Sequence, residues 1–322
     1  MAAFSRLVRF SNPAGQIFYG EVPGVDFVTQ ESLQGRKVAV YKGETPFEDD
    51  FALTGHQEEI AEVLAPLPYV PIFECVGVNY LKHVQEAGGE PPKYPVIFKK
   101  PAGQSTSEFL SWSKKGRTII RLSHKPNHAD AMFTAADALA GPFEDIPIHP
   151  ECQSQMDYEA ELCVVIGKDC KNVTAEEALN YVLGYTAGND VSARYWQWRE
   201  RSGGQHGSAK GFDKFAPIGP VIVSPNAIGD PHDLWLKTIV NGTEVRQQSR
   251  TDDLIFKLPE IIKHLSRGTT LRKGTVIMSG TPSGVAAFMK PPGFLQDGDV
   301  VTVEIEKIGR IENKLVFEKA SL

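Results

Sequence analysis

Two glutamates separated by a single residue, Glu159 and Glu161, stand directly before the apolar residues 162–166, which predict a buried strand. Because strand side chains alternate between faces, residues two apart point the same way and the two carboxylates lie side by side. Like charges this close repel unless a proton or a cation lies between them, and Mg²⁺ or Mn²⁺ suits an all-oxygen pair. The spacing therefore predicts either a metal site or an acidic pair on a solvated strand face.

A third carboxylate, Asp190, follows after an intervening helix. Thr174 and Glu177 have the spacing of a capping box at the start of that helix. The unit is then strand, helix, strand, with Asp190 at the end of the second strand. This connection allows Asp190 to return beside the two glutamates without requiring it, so Asp190 is the candidate third ligand.

A histidine and a glutamate, His83 and Glu86, lie three residues apart in a segment that follows the strand-like residues 75–80. On a helical turn this spacing puts both side chains on one face. A carboxylate beside an imidazole orients the ring and raises its basicity, which is what a general base needs. The spacing alone favours a surface ion pair, so it indicates a catalytic pair only together with other motifs.

Several motifs recur in the order found in one enzyme family, the fumarylacetoacetate hydrolases, which the chain resembles from about residue 73 to its C-terminus. The motifs are Asn79-Tyr80 with His83 and Glu86, residues 157–162 (DYEAEL), residues 188–194 (GNDVSAR), residues 208–213 (SAKGFD) and residues 280–285 (GTPSGV). Fumarylacetoacetase itself has a further aspartate ligand seven residues before the histidine, where this chain has Val76. The resemblance therefore implies the branch with three carboxylate ligands.

The resemblance also implies roles for individual residues. It implies metal ligation by Glu159, Glu161 and Asp190, catalysis by His83, Glu86 and Lys210, and substrate binding by Lys100, Arg194, Gln197 and Thr281. The implied cofactor is Mg²⁺ or Mn²⁺, and Ca²⁺ also fits the ligands. Lys100 ends a strand, where a lysine is usually solvated. His206 lies in a Gly-rich stretch, which favours an exposed side chain over a substrate contact.

The expected chemistry is that of a metal-dependent enzyme acting on a 2-oxo or 1,3-dicarbonyl acid through an enolate. Tautomerisation, decarboxylation and hydrolytic C–C cleavage of an acylpyruvate all pass through such an enolate, and the residues do not select among them. The competing prediction is a catalytically silent binding protein that contacts its partner through an insertion at about residues 103–144. A calcium site used only for stability explains the carboxylates but neither His83 nor Lys210.

The expected fold is α+β and mainly β, a mixed β roll or sandwich of the family's type with the metal site at its mouth. Residues 1–68 are expected to form a small N-terminal domain of short strands followed by an amphipathic helix over residues 56–64, and residues 69–322 the catalytic domain. Asn241-Gly242 predicts a type I′ hairpin. Residues 258–266 predict a short helix.

An insertion at about residues 103–144 separates this chain from the family pattern. Residues 129–139 within it predict a helix that ends at Gly141-Pro142. Long insertions of this kind serve as lids or interfaces, and a disordered surface segment is equally compatible with the sequence.

Composition narrows the choice of partners. The chain has 322 residues and a net charge of −6, without a run of basic residues, which argues against a nucleic-acid surface. Its apolar stretches are too short to cross a membrane.

The cysteines bear on the cellular location. The four cysteines include no C-x-x-C pair, which favours buried thiols in a reducing, cytoplasmic location. Arg6 and Arg9 hint at a mitochondrial leader, but residues 7–10 and 17–20 favour two strands. A homodimer is implied by the resemblance alone.

Overall fold

The computed structural model describes residues 3–104 and 138–319. The strands are β1 (Arg6–Ser11), β2 (Ile17–Glu21), β3 (Lys37–Lys42), β4 (Ala52–Glu59), β5 (Glu62–Val63), β6 (Tyr69–Val70), β7 (Phe73–Gly77), β8 (Val96–Lys100), β9 (Gly103–Gln104), β10 (Leu139–Ala140), β11 (Ile146–Ile148), β12 (Met156–Asp157), β13 (Ala160–Ile166), β14 (Val182–Asn189), β15 (Ser192–Ala193), β16 (Ala216–Val223), β17 (Trp235–Val240), β18 (Glu244–Arg250), β19 (Val276–Met278), β20 (Val300–Ile305) and β21 (Gly309–Phe317).

The helices are short. They are α1 (Gln30–Leu33), α2 (Leu81–Glu86), α3 (Ala175–Ala178), α4 (Arg194–Gln197), α5 (Arg199–Ser202), α6 (Gly207–Lys210), α7 (Pro225–Ile228) and α8 (Leu258–Ser266), with 3₁₀ turns at Pro150–Gln155, Leu179–Tyr181, Thr251–Asp253 and Ala286–Phe288. In the part of the chain that the structure describes, no helix has the length and apolar character that a membrane crossing needs. The predicted α+β, mainly β class is confirmed.

The strands form one large sheet and one smaller one. The large sheet has the order β4-β3-β2-β1-β16-β14-β13-β19-β7-β8, with β5 added on β1 and β10 on β16, and the smaller has the order β11-β21-β20-β17-β18. Strands β12 with β15 and β6 with β9 make two further pairs. Because β1 pairs with β16, the N-terminal strands extend the same sheet that carries the predicted catalytic segments. The boundary at residue 68 stays a prediction.

Strand β13 lies near the centre of the large sheet and is buried on both faces. Its even-numbered residues Leu162, Val164 and Ile166 join one apolar cluster, and its odd-numbered residues Cys163 and Val165 join a second. This is why residues 162–166 are apolar without alternation, as expected for a strand covered on both sides. The strand therefore has no solvated face.

The predicted helix over residues 56–64 is wrong. Residues 52–59 form the edge strand β4, which pairs with β3 through Lys37 and Glu59, and β5 pairs with β1. The cross-strand hydrogen bonds of β3 outweigh the helical periodicity of the sequence, as tertiary pairing commonly does. His56 is an exposed strand residue that contacts Glu58.

Several local predictions are confirmed. Helix α8 spans Leu258–Ser266, and both residues of the β17–β18 turn have positive φ, +52° at Asn241 and +72° at Gly242. Thr174 and Glu177 form the predicted capping box of α3. The predicted helix over residues 129–139 lies outside the described residues except at its end, where Leu139 belongs to strand β10. The role of the insertion stays a prediction.

The close contact between β13 and β14 at Gly188 gives the first prediction. A Cβ added to Gly188 of β14 would overlap the Sγ atom of Cys163 on β13 and lie 3.2 Å from Met278 Cε. We expect Gly188→Ala to lower the free energy of unfolding by roughly 1–3 kcal/mol, since overpacked cores shift side chains or backbone. Urea unfolding measures the loss. The double variant with Cys163→Ala should recover part of it, because that substitution removes the obstructing atom.

Gly89→Ala is the matched control, because its added Cβ would lie 3.7 Å from the nearest atoms, an ordinary contact. It should change stability by about 0.5 kcal/mol or less. A Gly188→Ala protein as stable as the parent, or one that Cys163→Ala does not relieve, would contradict this account of the strand packing.

Candidate active site

The three predicted ligands converge because of the pairing of β13 with β14. Ala160 lies opposite Asn189 and Glu161 opposite Gly188, and the backbone N–H of Asp190 donates to the Glu159 carbonyl at 2.9 Å. One oxygen from each of Glu159, Glu161 and Asp190 lies within 4.8 Å of the others, and all three residues are buried. The predicted convergence of Asp190 with the glutamates is therefore present in the fold.

Three basic side chains surround this cluster. Lys210 Nζ lies 2.7 Å from Glu159 Oε2 and 2.6 Å from Asp190 Oδ2. Lys100 Nζ lies 2.6 Å from Asp190 Oδ1, and Arg194 Nη2 lies 2.6 Å from Glu159 Oε1. All three basic residues are buried, so their charges act on the carboxylates with little screening by water.

The basic groups stabilise the charged form of Glu159 more than that of Glu161. Burial works to raise the pKa of Glu159, but Lys210 and Arg194 outweigh it and hold that pKa below its ordinary value. Burial, followed by the charges of Asp190 and Glu159, raises the pKa of Glu161 well above its ordinary value. Asp190 and Glu159 in turn outweigh burial and raise the pKa of Lys210. The negative charge that remains unbalanced is therefore at Glu161.

The donor set fits a divalent cation. Among the described residues, Glu161 has no basic side chain within ion-pair distance, and its Oε2 accepts one hydrogen bond, from the Gly280 N–H at 2.7 Å. Carboxylate oxygens are the ligands of hard cations such as Mg²⁺ and Mn²⁺, and each carboxylate has lone pairs beyond those used by its lysine or arginine. The group can hold a divalent cation at the side of Glu161.

The predicted catalytic pair forms on helix α2. His83 Nδ1 lies 3.1 Å from Glu86 Oε2, and His83 is buried with its ring 5.8 Å from that of Phe288. The Gly284 N–H donates to both Glu86 oxygens, at 2.9 and 3.1 Å. A protonated His83 would add to the effect of Lys210 and Arg194 in lowering the pKa of Glu159, so the ring lies near the carboxylate cluster. The pair therefore joins a buried imidazole to a more exposed carboxylate.

Asn79 joins the segment that carries His83 to the strand end that contacts Glu161. Its side-chain amide donates to the Ser279 carbonyl at 2.8 Å and accepts from the Phe256 N–H at 2.9 Å. Ser279 precedes the residue whose N–H binds Glu161, so one buried amide ties the approach to α2 to the end of β19. A side chain at Gly280 would overlap Asn79, which explains the glycine there.

Asp157 is a buried residue to which the sequence assigned no role. Its oxygens accept from Arg194 Nε at 2.8 Å and from the Ala286 and Ala287 N–H groups at 2.8 and 3.1 Å. It therefore fixes the arginine that binds Glu159 and the turn that precedes Phe288. Its place in the DYEAEL motif was the only signal, because strand spacing does not indicate which backbone N–H groups a carboxylate accepts.

The residues predicted to bind substrate have different surroundings. Lys100 is fully buried behind Asp190, and its Nζ also donates to the Phe215 carbonyl. Arg194 and Gln197 lie together on α4, joined at 2.7 Å. Thr281 Oγ1 accepts from Gln247 Nε2 at 2.8 Å. Their contacts with substrate stay predictions.

His206 differs from the expectation of an exposed loop residue. It is half-buried, it contacts Gln197, and its ring lies 5.6 Å from that of Phe98. The Gly-rich stretch around His206 contains the end of α5, a left-handed Gly203 and the start of α6. The glycines thus serve a tight turn between helices, which composition does not distinguish from a loop.

Substitution of Glu161 tests the cation site. We expect Glu161→Gln to weaken Mn²⁺ binding at least about 10–100-fold, the loss that even outer-sphere substitutions cause, as measured by calorimetric titration. In metal-free buffer at neutral pH the same variant should unfold at a higher temperature than the parent. Burial and two neighbouring carboxylates disfavour the ionised form of Glu161, whereas a neutral amide avoids that cost and its oxygen can still accept from the Gly280 N–H.

Glu62→Gln, at an exposed position on β5, is the matched control and should alter neither property. A Glu161→Gln protein that binds Mn²⁺ as tightly as the parent would exclude this carboxylate as a ligand. Lower stability of the metal-free variant would contradict the assignment of the unbalanced charge.

Known proteins share the sequence across most of the chain. Residues 73–316 match the C-terminal domain of the fumarylacetoacetate (FAA) hydrolases. The Bos taurus protein named oxaloacetate tautomerase FAHD2A, mitochondrial, is 40% identical over 253 residues, which are 79% of this chain and 69% of that protein. Such identity over that length shows common descent rather than a shared motif.

Two solved structures share the fold. That of 5-carboxymethyl-2-hydroxymuconate delta-isomerase from Mycobacterium smegmatis is 33% identical and covers 97% of this chain and 100% of its own, with a TM-score of 0.72. That of fumarylpyruvate hydrolase from Pseudomonas aeruginosa, in complex with Mn²⁺ and pyruvate, is 29% identical and covers 77% and 91%, with a TM-score of 0.60. These relatives are named as enzymes, and this chain belongs to the fumarylacetoacetate hydrolase family.

Proposed function

We propose that the protein is a Mg²⁺- or Mn²⁺-dependent enzyme that tautomerises oxaloacetate or a closely similar 2-oxo acid. The observation that carries the proposal is the cluster of three buried carboxylates within 4.8 Å of one another, together with the His83–Glu86 pair, whose imidazole interacts electrostatically with Glu159. A cation held by Glu159, Glu161 and Asp190 would supply Lewis-acid polarisation of the 2-oxo group.

The chain's own residues supply the proton transfer. Glu86 holds His83 by its Nδ1, which leaves Nε2 to take a proton from the carbon beside the carbonyl and to return it to the oxygen. Each turnover moves one proton between carbon and oxygen, so no other atom enters or leaves. Lys210, fixed by Glu159 and Asp190, places a positive charge where the enolate develops.

The relatives favour tautomerisation over the other reactions of an enolate. The bovine relative is named as an oxaloacetate tautomerase and the Mycobacterium smegmatis neighbour as an isomerase, and both reactions need one base and no water. The second candidate is hydrolysis of an acylpyruvate, which the fumarylpyruvate hydrolase neighbour favours. That reaction needs His83 to activate a water molecule instead.

Assembly and location belong to the same proposal. A homodimer is carried over from the family resemblance, and light scattering of the purified protein tests it. A cytoplasmic location follows from cysteine usage, whereas the name of the bovine relative supports the mitochondrial alternative. Neither bears on the chemistry of the site.

An oxaloacetate assay tests the reaction type. With Mg²⁺ present, the parent should consume the enol absorbance band without releasing CO₂, and chelation should abolish this activity. His83→Asn should lower kcat about 10²–10⁴-fold, the usual contribution of a general base, while Mn²⁺ affinity stays unchanged because His83 is not a ligand. His56→Asn, on the exposed edge strand, is the control and should keep full activity.

The other outcomes assign the protein differently. CO₂ release would make it a decarboxylase, and turnover of an acylpyruvate without enol loss would make it a hydrolase. Silence in all three assays with Mn²⁺ bound would favour the binding-protein alternative. Activity of His83→Asn at the parent's rate would refute the assigned base.

A further inference from the structure

A chain of polar side chains links the carboxylate cluster to His206. Arg194 Nη1 lies 2.7 Å from Gln197 Oε1, and Gln197 Nε2 lies 2.8 Å from His206 Nδ1. Arg194 is itself held by Asp157 and Glu159. The position of the His206 ring is therefore determined by contacts that begin at a predicted metal ligand.

The same contacts determine which nitrogen of His206 has the proton. A guanidinium can only donate hydrogen bonds, so the Gln197 atom facing Arg194 must be the oxygen. The amide nitrogen then faces His206 and donates, and Nδ1 must accept. An imidazole that accepts at Nδ1 is neutral and has its proton on Nε2.

The surroundings of the ring agree with a neutral imidazole at the wall of the site. Burial, followed by the charge of Lys210, lowers the pKa of His206. Phe98 contacts both residues, since Lys210 Nζ lies 5.0 Å from its ring centroid. His206 is half-buried, and among the described residues its Nδ1 has a hydrogen-bond partner while its Nε2 has none. The charges of Glu159 and Asp190 also act on the ring, which therefore lies near the carboxylate cluster.

We propose that His206 is a specificity-determining residue whose Nε2–H donates to a second carboxylate of the substrate. The 2-oxo acid end would lie at Glu159, Glu161 and Asp190, and His206 would select acids that have a further carboxylate over those that end in an alkyl group. This inference rests on the proposed function, and it adds the residue that recognises the second carboxylate and so restricts the substrates to 2-oxo dicarboxylic acids.

Two substitutions distinguish the effect of the Nε2–H donor from the effect of the ring's shape. His206→Phe keeps an aromatic ring against Phe98 and removes the N–H, whereas His206→Gln keeps an N–H near the position of Nε2. With Mn²⁺ bound, we expect His206→Phe to raise KM for oxaloacetate about 10–100-fold, the value of a hydrogen bond to a charged group, with a smaller change in kcat. His206→Gln should recover much of that loss.

The matched ligand is 2-oxobutyrate, which has a methyl group in place of the second carboxylate. Its inhibition constant should be unchanged by His206→Phe, because it lacks the group that His206 would bind. Equal losses for both compounds would make His206 a merely structural residue, and no loss for either would refute the contact. Failure of the parent to turn over oxaloacetate would refute the proposed function, and this substrate assignment with it.

The proton position has a readout that is independent of activity. The ¹⁵N spectrum of the parent should show Nδ1 of His206 unprotonated and Nε2 protonated. Gln197→Glu should move a proton to Nδ1, because a carboxylate there can only accept. A parent spectrum with Nδ1 protonated would overturn the assigned orientation of Gln197, and with it the proposal.

Discussion

The balance of charge around three buried carboxylates is the constraint on which the rest of this structure depends. Burying Glu159, Glu161 and Asp190 together is costly unless opposite charges accompany them. Lys100 on β8, Arg194 on α4 and Lys210 on α6 supply those charges. These contacts satisfy Glu159 and Asp190 directly and leave Glu161 with a raised pKa. Glu161 is therefore the carboxylate whose charge a divalent cation would neutralise.

The large sheet fixes the positions of the three carboxylate residues relative to one another. The register of β13 with β14 places Asp190 beside Glu159 by backbone hydrogen bonds, so the distance between them does not depend on flexible side chains. Gly188 and Gly280 let neighbouring strands and the Asn79 turn approach more closely than any side chain would allow. The burial of β13 on both faces adds a large apolar surface that opposes any shift of this register.

The sequence predicts the proposed metal ligands better than it predicts the residues that hold the surrounding side chains in place. Spacing and motif order were enough for the carboxylate cluster, because a strand's alternation and one strand-helix-strand connection bring the three residues together. Asp157 escaped notice because its partners are backbone N–H groups some 130 residues away. The helix over residues 56–64 was wrong because a periodic pattern contains no information about an available edge strand. His206 was misjudged because glycines that make a turn between helices resemble those of a loop.

Both ends of the segment from Arg194 to Lys210 form salt bridges with the same carboxylate, that of Glu159. Gln197 and His206 lie between those ends and contact each other across the turn at Gly203. Neither inner residue takes part in the salt bridges of the segment's ends, whereas Arg194 and Lys210 contact a carboxylate of the proposed metal site directly. The residues that hold the proposed reaction centre are therefore different from the residue proposed to select the substrate, although all of them lie in one short segment. A substitution at His206 can for this reason test substrate choice without removing a contact of the carboxylate cluster.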